Sequence, residues 1–215
     1  MTRRAKRPSL FWPGKSMHGS VVFNFVGSPG SEFGVYASAF WRGGRRLAQF
    51  LPSRRGYNDL DACPIVFLYR HALELYMKAI VRRGESLLSI AGAKLPIPPR
   101  ALEQHALPPL VDPIRTIFSH VGWLSKSQPE GRRMFREFEK LVRDVSRLDS
   151  GSYTFRYPVN KKNQASVSHH FGFNVLEFAE QVEKTIRFLD GAATGLEEEW
   201  DQASEMYAEQ KALMG

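Results

Sequence analysis

Three ionic residues recur one helical turn apart in an otherwise greasy run. They are Arg70, Glu74 and Lys78, with His71 beside the first, inside PIVFLYRHALELYMKAIVRRG at 64–84. At roughly 100° per residue the four side chains fall within an arc of about 100°, so on a helix they form one polar stripe. Arg70 with Glu74, and Glu74 with Lys78, are i,i+4 pairs that can hydrogen-bond along it. Such a stripe offers two kinds of chemistry. A carboxylate, an imidazole and two fixed cations can move protons and steady a developing negative charge. The same groups can instead form a paired core network that fixes helix register, because buried charge is tolerated when it is paired.

Other chemistry-bearing residues lie outside this run. His105 sits in EQHALPPL, and Arg156 with Tyr157 in FRYP at 155–158. If these meet the stripe in one cleft, Arg70 and Arg156 hold phosphate, His105 or His71 moves a proton, and Glu74 orients an arginine. The spacings Arg100 with His105 and Arg115 with His120 carry no weight by number, since chance supplies about two in a chain of this composition. Several familiar chemistries have no support. There is no H-E-x-x-H or C-x-x-C, and His169 and His170 point to opposite faces of a strand, so neither a metal nor a cofactor is expected. G-x-S-x-G, a phosphate loop and G-x-G-x-x-G are all missing. The single cysteine, Cys63, excludes an internal disulfide and reads as packing.

The elements that must position these residues read as mainly α: about five helices, with a small β-hairpin or three-stranded sheet beside them. The central helix is 64–84, with a proline in its first turn, a basic last turn and a closing glycine. It is apolar nearly all round and must be enclosed by the others. Helices are expected at 32–51, 114–124, 131–148 and 173–189. The fourth carries a row of Arg132, Arg133, Arg136, Lys140, Arg143 and Arg147. This row reads as a solvated face, or as a phosphate-contacting surface through Arg136 and Lys140. SYTFRYPV at 152–159 and ASVSHHF at 165–171 read as a hairpin, to which a strand at 20–26 adds. Residues 1–16 read as a flexible basic arm, 17–190 as one domain, and 191–215 as an acidic helix or tail.

A net charge of +8 is unevenly placed. Residues 1–150 hold 24 Lys and Arg against 12 Asp and Glu, and 151–215 hold 6 against 10, giving +12 and −4. A basic body attracts phosphate polymers before specific contacts form, so nucleic acid is the expected partner rather than membrane. No signal-peptide pattern or membrane span is evident, and a cytoplasmic location is expected.

The run R-H-x-x-E-L-x-x-K at 70–78, with H-A-L-x-x-L at His105 and F-R-Y-P at 155–158, resembles a bacterial group of HEPN-like helical proteins over roughly 33–190. The resemblance implies a helical bundle that is often a homodimer. It implies either a metal-independent ribonuclease of a toxin or phage-defence system, with an antitoxin or defence protein as partner, or a non-catalytic module that regulates a partner protein. Under it, Arg70, His71, Glu74, His105 and Arg156 are the catalytic candidates. Lys78 and Tyr157 are candidates for contact with RNA, and the basic row of the fourth helix adds Arg136 and Lys140 to them.

Overall fold

The computed structural model describes residues 33–53, 58–160, 162–166 and 172–213. The expected strand at 20–26 and the basic arm at 1–16 lie outside them. The described chain is mainly helical: α1 (Phe33–Phe50), α2 (Ala62–Ile90), α3 (Val111–His120), α4 (Pro129–Leu148) and α5 (Val175–Leu213), with short 3-10 turns at Leu51–Ser53, Asp59–Asp61 and Pro108–Leu110. No helix among these residues is long and apolar enough to cross a membrane.

Helix α2 is the axis of the bundle because its apolar residues face every direction. Ile65, Tyr69, Leu73, Met77 and Ile80 are all closed off from water, each contributing about 1.5–3 kcal/mol of burial if aliphatic. Its entry is fixed by Asn58, whose Oδ1 accepts from Leu60 N while Asp61 Oδ2 accepts from Asn58 N. Helix α1 runs antiparallel against it, Gly44 approaching Tyr69 closely enough that an added Cβ would lie 3.2 Å from the ring. On another side, Phe118 of α3 packs edge-on against Phe135 of α4 and Phe188 of α5.

Three polar rungs lock α2 to α5. Tyr69 Oη donates to Glu183 at 2.8 Å, Tyr76 Oη donates to Asp190 at 2.9 Å, and Arg83 pairs with Glu197. All three pairs are 114 residues apart in the chain and follow one another at seven-residue steps. The two helices therefore run parallel in a heptad register, the geometry of a shallow left-handed crossing. Burial and the facing carboxylates push both phenols well above their ordinary pKa, so the tyrosines remain donors.

Gly84 does not end α2, which continues to Ile90. A Cβ at Gly84 would lie 2.3 Å from Ile117 Cδ1, so this glycine is where α3 crosses α2. The real stop is Gly92, at φ 69°, with Gly92 N bonding Ser89 O and Ala93 N bonding Leu88 O, a left-handed closure suited to glycine. Gly122, at φ 80°, closes α3 in the same way, so that helix ends at His120 rather than 124. Gly191 likewise fails to end α5, and the acidic stretch after it continues the same helix to Leu213.

The expected hairpin is corrected. Among the described residues no strand forms, and the two arms touch at one antiparallel bridge, Val159 with Ala165. The FRYP segment is a helical turn, with Arg156 N and Tyr157 N both bonded to Tyr153 O at 3.0 Å. Its cause is Asp149, whose Oδ1 accepts from Tyr153 N at 2.8 Å and Thr154 N at 3.3 Å and draws the chain into a tight bend. The later arm's 167–171 lie outside the described residues.

Candidate active site: a buried ionic seam ending in an exposed imidazole

The stripe on α2 is enclosed. Arg70 and Glu74 are each 1% exposed and Lys78 is 5% exposed. Glu74 is the hub: its Oε2 accepts from Arg70 Nη1 at 3.2 Å, and its Oε1 accepts from Lys78 Nζ at 2.8 Å. Arg70 reaches outward from α2 in two further directions. Its Nε lies 3.3 Å from Asp149 O and 3.4 Å from Asp149 Oδ2, and its Nη2 donates to His105 O at 2.6 Å. The end of α4 and the 101–107 loop are thereby tied to the central helix by one guanidinium. Two buried cations meet two buried anions, Glu74 and Asp149, so the seam is neutral when its histidines are neutral. That balance is what makes burial tolerable.

His105 joins the seam from the loop, between the buried anchors Ala101 and Leu107. Its Nδ1 lies 3.0 Å from Glu74 Oε1, while 49% of its side chain remains exposed. Burial alone pushes the Glu74 carboxyl up, but the hydrogen bonds and charges of Lys78 and His105 outweigh it and hold the group below its ordinary pKa. Glu74 is therefore an ionised acceptor, and Nδ1 must carry the proton between them. The neutral ring then offers its Nε2 lone pair on the exposed edge. A carboxylate behind an imidazole that faces solvent is the arrangement a general base needs.

His71 sits on the flank. Its ring meets Phe40 edge-on at 4.4 Å and stacks on Phe67 at 5.7 Å, with Nδ1 4.0 Å from Glu74 Oε2. Burial lowers its pKa below that of a free histidine. Phe67 links the seam to Arg156, whose guanidinium lies 5.3 Å above the Phe67 ring and is also within 5.6 Å of the centroids of Tyr153 and Tyr157. Arg156 Nε bonds Ser152 O, and the residue is exposed. Arg156 and Tyr157, the latter half-exposed, also line a cavity of about 1160 Å³ at the N-terminal end of α2. Cys63 lines the same cavity, with its thiol pKa raised by burial, so it offers no activated thiolate.

No family model, curated protein or solved structure corresponds to this chain.

Of the sequence candidates, Arg70, His71, Glu74, Lys78 and His105 come together directly, and Arg156 with Tyr157 stands one aromatic ring away. Arg70 and Lys78 are closed off and spent on the seam, so neither is placed to hold phosphate or RNA. Arg136 and Lys140 lie on the exposed face of α4, with no bond to the seam. Arg100 is paired with Glu103 rather than with His105, and Arg115 with Asp112 and Glu139 rather than with His120. Asp149 was not among the candidates. A signal existed, because an acid just past a helix C-terminus opposes the macrodipole and implies another reason for its presence.

Proposed function

We propose that this chain is an HEPN-like helical protein that binds and cleaves RNA without a metal ion, using His105 as the proton-transfer group. The observation that carries the reading is the 3.0 Å contact between buried, ionised Glu74 and the half-exposed His105 ring. In this reading Nε2 takes the proton of a ribose 2′-hydroxyl as its oxygen attacks the adjacent phosphorus. The P–O5′ bond breaks, a 2′,3′-cyclic phosphate forms, and the proton passes to the departing 5′-oxygen. Arg156, held on its aromatic platform, is the exposed cation available to the phosphate, and the Tyr157 ring gives a base a surface for stacking. Arg70 is a positioning residue that fixes the His105 carbonyl, and Lys78 keeps Glu74 ionised. A toxin or defence context, with an antitoxin or other defence protein as partner, follows from the family resemblance.

A second reading is favoured by one feature of the seam, that each buried charge already has its partner. A non-catalytic HEPN-like module regulating another protein would need nothing more. Incubation of purified protein with total RNA in EDTA separates the two. Cleavage that is lost in both His105→Ala and Arg156→Ala, with far-UV circular dichroism unchanged, supports the enzyme. RNA left intact at high protein concentration supports the module.

A further inference from the structure

Two helices keep unspent charge of opposite sign after the fold is assembled. On α4, Arg132, Arg136, Lys140, Arg143 and Arg147 are all exposed and lie within an arc of about 80°. They project from the side opposite the buried Phe138 and Val142. The acids of α4 are already taken: Arg133 binds Glu130 and Glu137, Arg115 binds Glu139, and Asp144 lies 3.7 Å from Arg147. Among the described residues, Arg132, Arg136, Lys140 and Arg143 have no acidic partner within 4.0 Å.

The complementary surface is on α5. With a constant offset of 114 residues between the paired positions, Ile90 at the end of α2 stands level with Ser204, since 90 + 114 = 204. The helix beyond that level projects past α2 by about 13 Å at 1.5 Å per residue. The outer face of α5, from just before that level onward, carries Asp201, Glu205 and Glu209 at every fourth position, with Glu198 in the same arc, all exposed and without a basic partner among the described residues. Met206, on the flank of this ladder, is 62% exposed.

We infer that the acidic ladder of α5 docks on the basic row of α4 in a second copy of this chain. Rungs on both helices recur at about 6 Å, four residues of rise, so several pairs form in one register. Within one chain the two rows do not pair: among the described residues no ion pair joins α4 to α5. The earlier turns of α5 are held against α2 by the three rungs. A second copy also accounts for more than a polyanion does. Nucleic acid on α4 would neutralise that row but leave the acidic ladder without a partner. The inference stands independently of any ribonuclease activity.

Sedimentation velocity of the full chain tests it. In salt of about 50 mM the weight-average mass rises with concentration from the 24.5 kDa of one chain toward twice that value, and in about 500 mM salt it falls back. Two triple variants, Asp201→Lys/Glu205→Lys/Glu209→Lys and Arg136→Glu/Lys140→Glu/Arg143→Glu, change exposed positions only. Each alone is monomeric, and mixing them restores association, because the reversed charges face each other again. Three results overturn the inference: a wild-type chain that stays monomeric, an association indifferent to both reversals, or a mixture that fails to associate. If the α4 reversal abolishes binding of single-stranded RNA but leaves sedimentation unchanged, the row is a nucleic-acid surface instead.

Discussion

Replacing Arg70 with methionine removes the guanidinium that joins α2, the His105 loop and the end of α4. The substitution keeps an unbranched apolar stem, so packing changes little and the loss is electrostatic. Glu74 retains Lys78 and His105, and Asp149 retains the amides of Tyr153 and Thr154, but the seam is left with one excess negative charge in a closed site. Breaking a buried pair in this way costs about 3–5 kcal/mol, a large part of the roughly 5–15 kcal/mol that holds a domain folded. With a urea dependence of about 2.5 kcal/mol per molar, the unfolding midpoint falls by about 1.5 M. Arg70→Lys keeps the charge but cannot fork to three acceptors, so it falls between methionine and wild type. Equilibrium unfolding followed by circular dichroism gives the answer. A midpoint shift below about 0.2 M, the size of a surface substitution, would refute the claim that this guanidinium binds three elements together.

Other consequences follow from the same packing. Gly84→Ala should destabilise by about 1–3 kcal/mol through collision with Ile117, although alanine is the better helix former; a rise in melting temperature would contradict the close crossing. Tyr76→Phe, which removes one heptad rung, should cost about 1 kcal/mol in urea unfolding, and an unchanged midpoint would show that the rung adds nothing. His71 has a folded pKa below its unfolded value near ~6.5, so the unfolded chain binds more protons just below that pH and stability falls as pH drops toward the folded pKa. His71→Gln should therefore flatten the decline of stability as pH falls below ~6.5, and an equally steep decline in the variant would assign it to another group.

The ionic seam was legible in the sequence because α2 is so uniformly apolar that its few charged residues stand out at helical spacing. The partners outside α2 were less visible. Asp149 and the Arg70 contacts to carbonyl oxygens depend on where a loop and a helix end arrive in space, which no local spacing encodes. The rungs between α2 and α5 were hidden for a different reason. Tyr69 and Tyr76 count as core, Glu183 and Asp190 count as solvent-facing, and only the register shows that they bond. The glycine errors share one cause. Gly84 and Gly191 look like helix stops by type, yet Gly84 serves close packing, while Gly92 and Gly122 provide the left-handed turns. Alternation in SYTFRYPV suggested a strand, and it was overridden by a buried carboxylate that gathers the amides of Tyr153 and Thr154.

The tautomer of His105 tests the proposed chemistry most directly. Nitrogen-detected NMR of imidazole-labelled protein, above the pH at which the ring loses its second proton, reports which nitrogen keeps the remaining one. With Glu74 accepting from Nδ1, the ring should hold its proton there and present a bare Nε2, and Glu74→Gln should weaken that preference. A His105 ring protonated at Nε2 in the wild-type protein would contradict the account, because the exposed edge would then have no lone pair with which to accept a proton.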